Sequence, residues 1–266
     1  VSSTRESLTE NSYKLNLDTK WLGQKVEHYP LLDSTQTLAM KRVETLSDQG
    51  LVIIADQQIA GRGSHLRSWY SDNNQGVWLS FILRPDLTLL QAPQLTLLTA
   101  VVLRDVITRI TNSKPTIKWP NDLLIGDKKV AGILTEAKST YKKIDHAVIG
   151  IGLNVNQTKD QLNDQIKQTA TSLKIETNRS YSKKLIIQKL LNQFETDYEH
   201  YMTDGFNQIK ERWLQSAFRL NSRIVYSVNG QTKEGIFIDI DDDAQLIVKD
   251  ERNKIDKLAS AEIEWF

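Results

Sequence analysis

"KWPNDLLIGDKKVAGILTE", residues 118–136, reads as a strand, a tight turn and a second strand, with GDKK at 126–129 as the hairpin turn. Pro120 fixes its own φ and restricts Trp119 before it, so Asn121 leaves the first strand at a constrained exit. Lys118, Asn121, Asp122, Lys129 and Gly132 are thereby collected around one hairpin. Such a frame sets a lysine ammonium against a phosphate or carboxylate, and a carboxylate against Mg2+, as adenylate chemistry demands. The plainer alternative is a solvated turn in which Lys128 and Lys129 meet only water.

Two glycine-bearing segments flank this hairpin in the chain. Upstream, GRGSHLRSW (61–69) follows the strand-like run LVIIAD (51–56). Gly61 and Gly63 let the backbone approach a ligand, while Arg62 and Arg67 offer charged donors suited to phosphate or carboxylate. A solvated surface turn is the alternative here too. Downstream, VIGIGLNVN (148–156) is a strand with glycines at 150 and 152, where glycine weakens a sheet unless a ligand or another backbone must come close. Neither GxxxxGK[ST] nor GxGxxG occurs, which leaves a P-loop and a dinucleotide-binding Rossmann fold unsupported. The histidines at 28, 65, 146 and 200 lack metal-ligand spacing, and no Ser/His/Asp triad stands out.

A chain of 266 residues has room for one medium domain and one small one. With 39% hydrophobic and 25% charged residues and a mean hydropathy of −0.41, it matches folded soluble proteins. The 34 basic and 33 acidic residues leave a net charge of +1, so no global field draws nucleic acid or an anionic membrane. Any anion site must be local. Zero cysteines exclude disulfides, thiolate zinc sites and a cysteine nucleophile, and with no signal peptide or long apolar span they point to a cytoplasmic protein. The first dozen residues, VSSTRESLTENS (1–12), are polar and aperiodic, as in a linker or a truncated edge.

Ser34 is placed to cap a helix in which Ala39, Val43 and Leu46 share a face, stopped by Gly50. GVWLSFILRP (76–85) is a continuous apolar run, expected as a strand buried on both faces. Leu95, Leu98, Val102, Val106 and Ile110 keep a helical stripe, with Pro93 near its start. A second long helix is expected from about Ser182 to Tyr201, and a shorter one carries Phe206, Ile209 and Trp213. From about Leu220 short β-rich runs are broken at Asn229-Gly230, Asp241–Asp243 and Glu251–Asn253, which predicts a small five-stranded barrel. The class is α+β with an all-β tail.

DST (33–35), GRG (61–63), KWPND (118–122), KVAGILTE (129–136) and GIGLNV (150–155), in this order and spacing, resemble the biotin protein ligase family. The resemblance implies a class II aminoacyl-tRNA synthetase/biotin ligase-like mixed sheet with packed helices at 13–218, followed by an SH3-like barrel at 219–266. It implies a ligase that converts biotin and Mg·ATP to biotinyl-5′-AMP, then passes biotin to a lysine of a biotin carboxyl carrier domain. By the same resemblance Ser34, Thr35, Gln58 and Arg62 match biotin contacts, with Gly61 and Gly63 folding the loop over the ligand and Gly132, Gly150 and Gly152 at the biotin floor. Lys129 matches the lysine between the biotin carboxylate and the α-phosphate, and with Arg62 and Arg67 makes the catalytic set. Ser64, Arg67, Trp69, Lys118, Asn121 and Asn154, with Lys129, fall on the nucleotide side, Lys118 also organising the hairpin and Asp122 the metal shell.

Trp119, Ile133, Leu134 and Ile149 are expected to wall an apolar slot for the biotin ring and chain. No protein nucleophile is needed, since the substrate carboxylate and the carrier lysine supply both attacks. No flavin, NAD or zinc is expected; a homodimer fits the family. Ser64 departs from the arginine that many members carry after GRG, and His65-Leu66 replace a basic or small pair. An N-terminal winged helix-turn-helix is not read in this chain, so neither DNA nor a membrane is an expected partner. A lipoate or octanoate ligase of the same fold and a non-catalytic biotin sensor are the rival readings.

Overall fold

The computed structural model describes residues 14–43, 48–228, 230–259 and 262–265. The expected linker at 1–12, Leu46 of the first helix and Asn229 of the barrel turn lie outside the described residues. The chain enters through β1 (Val26–Leu32), α1 (Thr35–Arg42) and β2 (Val52–Gln58), with β1 and β2 parallel. Ser34 caps α1, its hydroxyl accepting from the Thr37 amide at 3.4 Å. The apolar stripe runs on to Val43, but α1 closes after two turns with Val43 as its C-cap, so periodicity overshot the helix end. Gly50 instead turns the chain into β2 at φ +78°, where a Cβ would fall 2.4 Å from the Trp21 carbonyl.

β3 (Val77–Leu83) is buried at every position, as its unbroken apolar run requires. α2 (Ala92–Thr111) follows, then the short strands β4 (Thr116–Lys118) and β5 (Asp122–Ile125) and the long hairpin β6 (Lys128–Thr140) and β7 (Lys143–Leu153). The expected GDKK turn joins β5 to β6, with Gly126 at φ +60°. Among the described residues these strands form one seven-stranded sheet, in the order β1-β2-β3-β7-β6-β5-β4. Ala217 pairs beside Ile117 and covers the β4 edge.

After the short α3 (Leu173–Thr177), the helices α4 (Lys183–Asp204) and α5 (Asn207–Leu214) pack with α2 on one face of the sheet. α2 falls within the span Leu89–Thr111, which is long and apolar enough to cross a membrane, yet it is mostly buried in this core. Phe81 of β3 meets Phe194 of α4 edge-on at 4.7 Å, tying sheet to helix layer. A smaller cluster on the other face seats α1 through Leu38 and Ala39 against Tyr29, Ile53 and Val148.

The tail forms the second, antiparallel sheet expected of an SH3-like barrel: β8 (Arg223–Val228), β9 (Gln231–Ile240), β10 (Leu246–Lys249), β11 (Ile255–Leu258) and β12 (Glu262–Trp265), ordered β11-β10-β9-β8-β12. Its core is continuous with that of the large sheet: Trp213 of α5 stands edge-on to Phe237 at 6.1 Å. Gln94 of α2 donates to the Asp242 carbonyl and accepts from the Tyr201 hydroxyl, while Trp119 Nε1 donates to the Ala244 carbonyl at 3.0 Å.

Candidate functional site

A cleft of about 190 Å3 opens on the sheet face away from α2 and α4, between the loop at 59–71 and the segment at 157–172. Ser80 of β3, Gly132 of β6 and Gly150 and Gly152 of β7 form its floor. Ser34 and Thr35 reach it from the start of α1, and Gln58 from the end of β2. Thr35 donates its amide to Gln58 Oε1 at 2.8 Å and shares a 2.9 Å hydroxyl contact with Ser80, while Gln58 Nε2 donates to Ser71 Oγ at 2.9 Å. These four side chains are buried, and their bonds to one another make burial tolerable.

The glycine-arginine loop is itself a small hairpin. Gly63 donates to the Arg67 carbonyl at 2.7 Å, Trp69 donates to the Gly61 carbonyl at 2.8 Å, and Arg62 pairs with Ser68. Gly61 allows this, because a Cβ there would lie 2.4 Å from the Trp69 carbonyl. At the tip, His65 and Leu66 both take left-handed φ, +54° and +60°. Arg67 folds back on Ser64, donating to its carbonyl at 3.2 Å and its hydroxyl at 3.0 Å. Arg62 instead points across the cleft to Glu136, with Nη2 donating to Oε1 at 2.7 Å.

On the other flank, Lys129 Nζ lies 2.7 Å from Asp122 Oδ1 and 5.0 Å from the Trp69 ring centroid. Its backbone is clamped by the 157–172 segment: Lys129 N donates to the Thr169 carbonyl at 2.8 Å, and Thr171 N donates to the Lys129 carbonyl at 2.9 Å. Asn121 is locked to Ile133 by two bonds of 2.8 and 2.9 Å, and Asn154 donates to the Thr171 carbonyl at 2.9 Å. The Tyr70 hydroxyl bonds Gln165 across the cleft mouth, joining the two loops.

The structure thus brings Ser34, Thr35, Gln58, Arg62, Gly63 and Ser64 to one cleft with Arg67, Trp69, Asn121, Lys129, Gly132 and Asn154. Gly61 shapes the loop from beneath without lining the cleft. Several expectations need correction. Trp119 does not wall the cleft: its indole points to the barrel turn, where Ala244 accepts its N–H. Ile149 faces the helix layer, because strand alternation puts Gly150 and Gly152, one and three positions further on, on the cleft side. Those two glycines make room for neighbouring side chains: a Cβ on Gly150 would fall 2.5 Å from Gln36 Oε1, and one on Gly152 would fall 2.4 Å from Trp69.

Lys118 does not line the cleft; it stands beside it, on the same sheet face as its cross-strand partner Asp122 and 5.9 Å from the Trp265 ring, and burial pushes its ammonium below the usual lysine value. Asp122 is the ion-pair partner of Lys129. Among the described residues no group of three or more His, Cys, Asp or Glu side chains comes together as metal ligands. Sequence reading missed Gln36, Glu136, Tyr70, Ile166, Thr169 and Ala170. A carboxylate closing the apolar run VAGILTE was the one available sign for Glu136; the segment around Ile166 is polar and aperiodic, and carried none.

The model of the biotin/lipoate A/B protein ligase family matches residues 29–154. The bifunctional ligase/repressor BirA of Bacillus subtilis (strain 168) is 38% identical over 257 residues, which span 97% of this chain and 79% of that protein. The biotin--[acetyl-CoA-carboxylase] ligase of Paracoccus denitrificans is 32% identical over 224 residues, spanning 82% of this chain and 91% of that one. Among solved structures, the biotin protein ligase of Aquifex aeolicus in complex with biotin and ATP matches with a TM-score of 0.79 at 25% identity, covering 91% of this chain and 100% of that chain.

Proposed function

This chain belongs to the biotin/lipoate A/B protein ligase family, and from that premise we propose that it is a biotin protein ligase using the cleft described above for both half-reactions. In the first, a biotin carboxylate oxygen attacks the α-phosphorus of ATP, pyrophosphate leaves and biotinyl-5′-AMP forms. In the second, the amine of a carrier lysine attacks the activated carbonyl and AMP leaves. Mg2+ arrives with the nucleotide as part of the substrate. The partner is the biotin carboxyl carrier domain of a biotin-dependent carboxylase, and the reading includes a cytoplasmic location. A homodimer belongs to the same proposal.

The carrying observation is the setting of Lys129. Its ammonium projects over the cleft beside Gly132, with Asp122 at 2.7 Å as its only ion-pair partner among the described residues. A cation there offsets the repulsion between an incoming carboxylate and the α-phosphate and stabilises charge gathering on the phosphorus oxygens. Arg62 and Arg67 add donors on the loop that covers the substrates. Ser34, Thr35 and Gln58 offer polar partners for the ureido end of biotin, and Leu134 an apolar wall for its chain. Trp69 and Asn154 flank the nucleotide, behind the segment carrying Ile166. In this division, 13–218 performs the chemistry and 219–266 forms the barrel.

The test incubates the purified chain with Mg·ATP, an apo carrier domain and either biotin or lipoate. Biotin-dependent pyrophosphate release and a mass gain on one carrier lysine are expected. Preference for lipoate, or biotin binding without pyrophosphate release, overturns the reading in favour of a lipoate ligase or a sensor.

A further inference from the structure

We infer that Glu136, held by Gln36, is a positioning residue that sets Arg62 and so the closed state of the glycine-arginine loop; this rests on the ligase reading above for its catalytic consequences only. Arg62 Nη2 donates to Glu136 Oε1 at 2.7 Å, and Gln36 Nε2 donates to the other oxygen, Oε2, at 3.0 Å. Both carboxylate oxygens are therefore engaged from opposite sides, which fixes the plane in which the guanidinium can bind. Gln36 is in turn fixed at three points: Nε2 donates also to the Val148 carbonyl at 3.2 Å, and Oε1 accepts from Ser80 Oγ at 3.1 Å.

From Ser80, which accepts from the Thr35 hydroxyl, the bonds run on through the Thr35 amide, which donates to Gln58 Oε1, and through Gln58 Nε2 to Ser71, which donates to the Trp69 carbonyl at 3.3 Å. One continuous hydrogen-bonded chain thus starts at Arg62, near the beginning of the loop, crosses the cleft floor and returns at Ser71 and Trp69, the loop's other end. The groups proposed to meet biotin, Thr35 and Gln58, sit in the middle of it. A ligand that reorders them shifts partners shared with the residues that hold both loop ends, which makes loop closure and biotin occupancy one coupled event. Gly150 is what admits the chain to the floor, since a Cβ there would lie 2.5 Å from Gln36 Oε1.

The test replaces charge while keeping shape, with Glu136→Gln. In the ligand-free protein, tryptic cleavage after Arg67 is expected to accelerate roughly threefold to tenfold, the range of a half-exposed ion pair, and the difference should shrink at high salt. That readout needs no substrate, so it tests the latch even if the ligase reading fails. With biotin and Mg·ATP, Glu136→Gln is expected to raise the KM for biotin by a similar factor with a smaller change in kcat. On an Arg62→Gln background the same change should add nothing. A KM and cleavage rate equal to those of the parent chain overturn the inference, as do independent, multiplying effects of the two substitutions. A variant that merely loses thermal stability, with its KM-to-kcat split unchanged, overturns it too.

Discussion

Lys129 and Asp122 face each other across the β5–β6 hairpin at 2.7 Å, and both come from the short stretch that also fixes Asn121. The aspartate holds the ammonium over the cleft without being a nearer competitor for phosphate, since the lysine keeps two more donors. Lys129→Gln is expected to slow pyrophosphate release about 100- to 1000-fold, the loss typical of one electrostatic stabiliser. Stability should fall by only about 1 kcal/mol, because the pair is partly solvated. Stopped-flow release and a thermal melt check both, and release at the parent rate would remove Lys129 from the mechanism.

Gly150→Ala and Gly152→Ala should separate two roles that a single label of floor glycine conceals. The first drives a methyl into Gln36 and the second into Trp69, at 2.5 and 2.4 Å before relaxation. Each is expected to cost about 1–3 kcal/mol of stability. Only Gly152→Ala should change the emission of Trp69, read as the difference spectrum against a Trp69→Phe control; equal spectral changes in both variants would contradict the assignment.

Trp119→Phe should behave as an interface mutation. It removes the donor to the Ala244 carbonyl while keeping most of the apolar packing, so a loss of about 1–2 kcal/mol is expected in denaturant unfolding. The KM for biotin should stay within about twofold. A tenfold rise in KM without loss of stability would return this residue to the biotin pocket.

Ser64 offers a hydroxyl and a carbonyl to Arg67 and no charge to a ligand. Ser64→Arg is expected to slow dissociation of biotinyl-AMP about ten- to a hundredfold, the effect of one added charge-assisted contact. Release of preformed adenylate and labelling of an unrelated lysine-rich protein measure it. Unchanged release would leave Arg67 as the retaining group.

His146 is buried in β7, and burial, with Arg84 and Lys138 nearby, pushes its pKa below the usual imidazole value. The folded state therefore prefers the neutral ring. Its contribution is present above the unfolded value of about 6.5 and is lost as pH falls through the depressed folded value. His146→Gln should flatten the decline of Tm on acidification below about pH 6.5, and an identical slope in the variant would show that other groups carry it.

Features written in local periodicity were legible from the chain alone: the unbroken apolar run of β3, the stripe of α2, the hairpin at 118–136 and the changed texture of the tail. β1 was not, because a parallel edge strand carrying Glu27, His28 and Pro30 shows neither alternation nor an apolar run. The cleft was legible as motifs, but not as faces. Ile149 and Gly150 are adjacent in sequence and opposite in the sheet, and nothing local says which faces the cleft. Glu136 and Gln36 lie 100 residues apart, a pairing created only when α1 packs against the assembled sheet. Trp119 was misread for the same reason: its partner, Ala244, belongs to a turn 125 residues away.

That last bond bears on how such chains can be rebuilt. The turn at 241–245 is bolted to Trp119, two positions before Asn121, and to Gln94 in the central helix. The barrel is thus no interchangeable cassette. Grafting a foreign one would require that its corresponding turn present carbonyls at both places, and a shortened turn would be felt as a displaced hairpin in the catalytic half. Both bonds end on backbone carbonyls, so the donors at positions 94 and 119 constrain the length and path of that turn rather than its side chains.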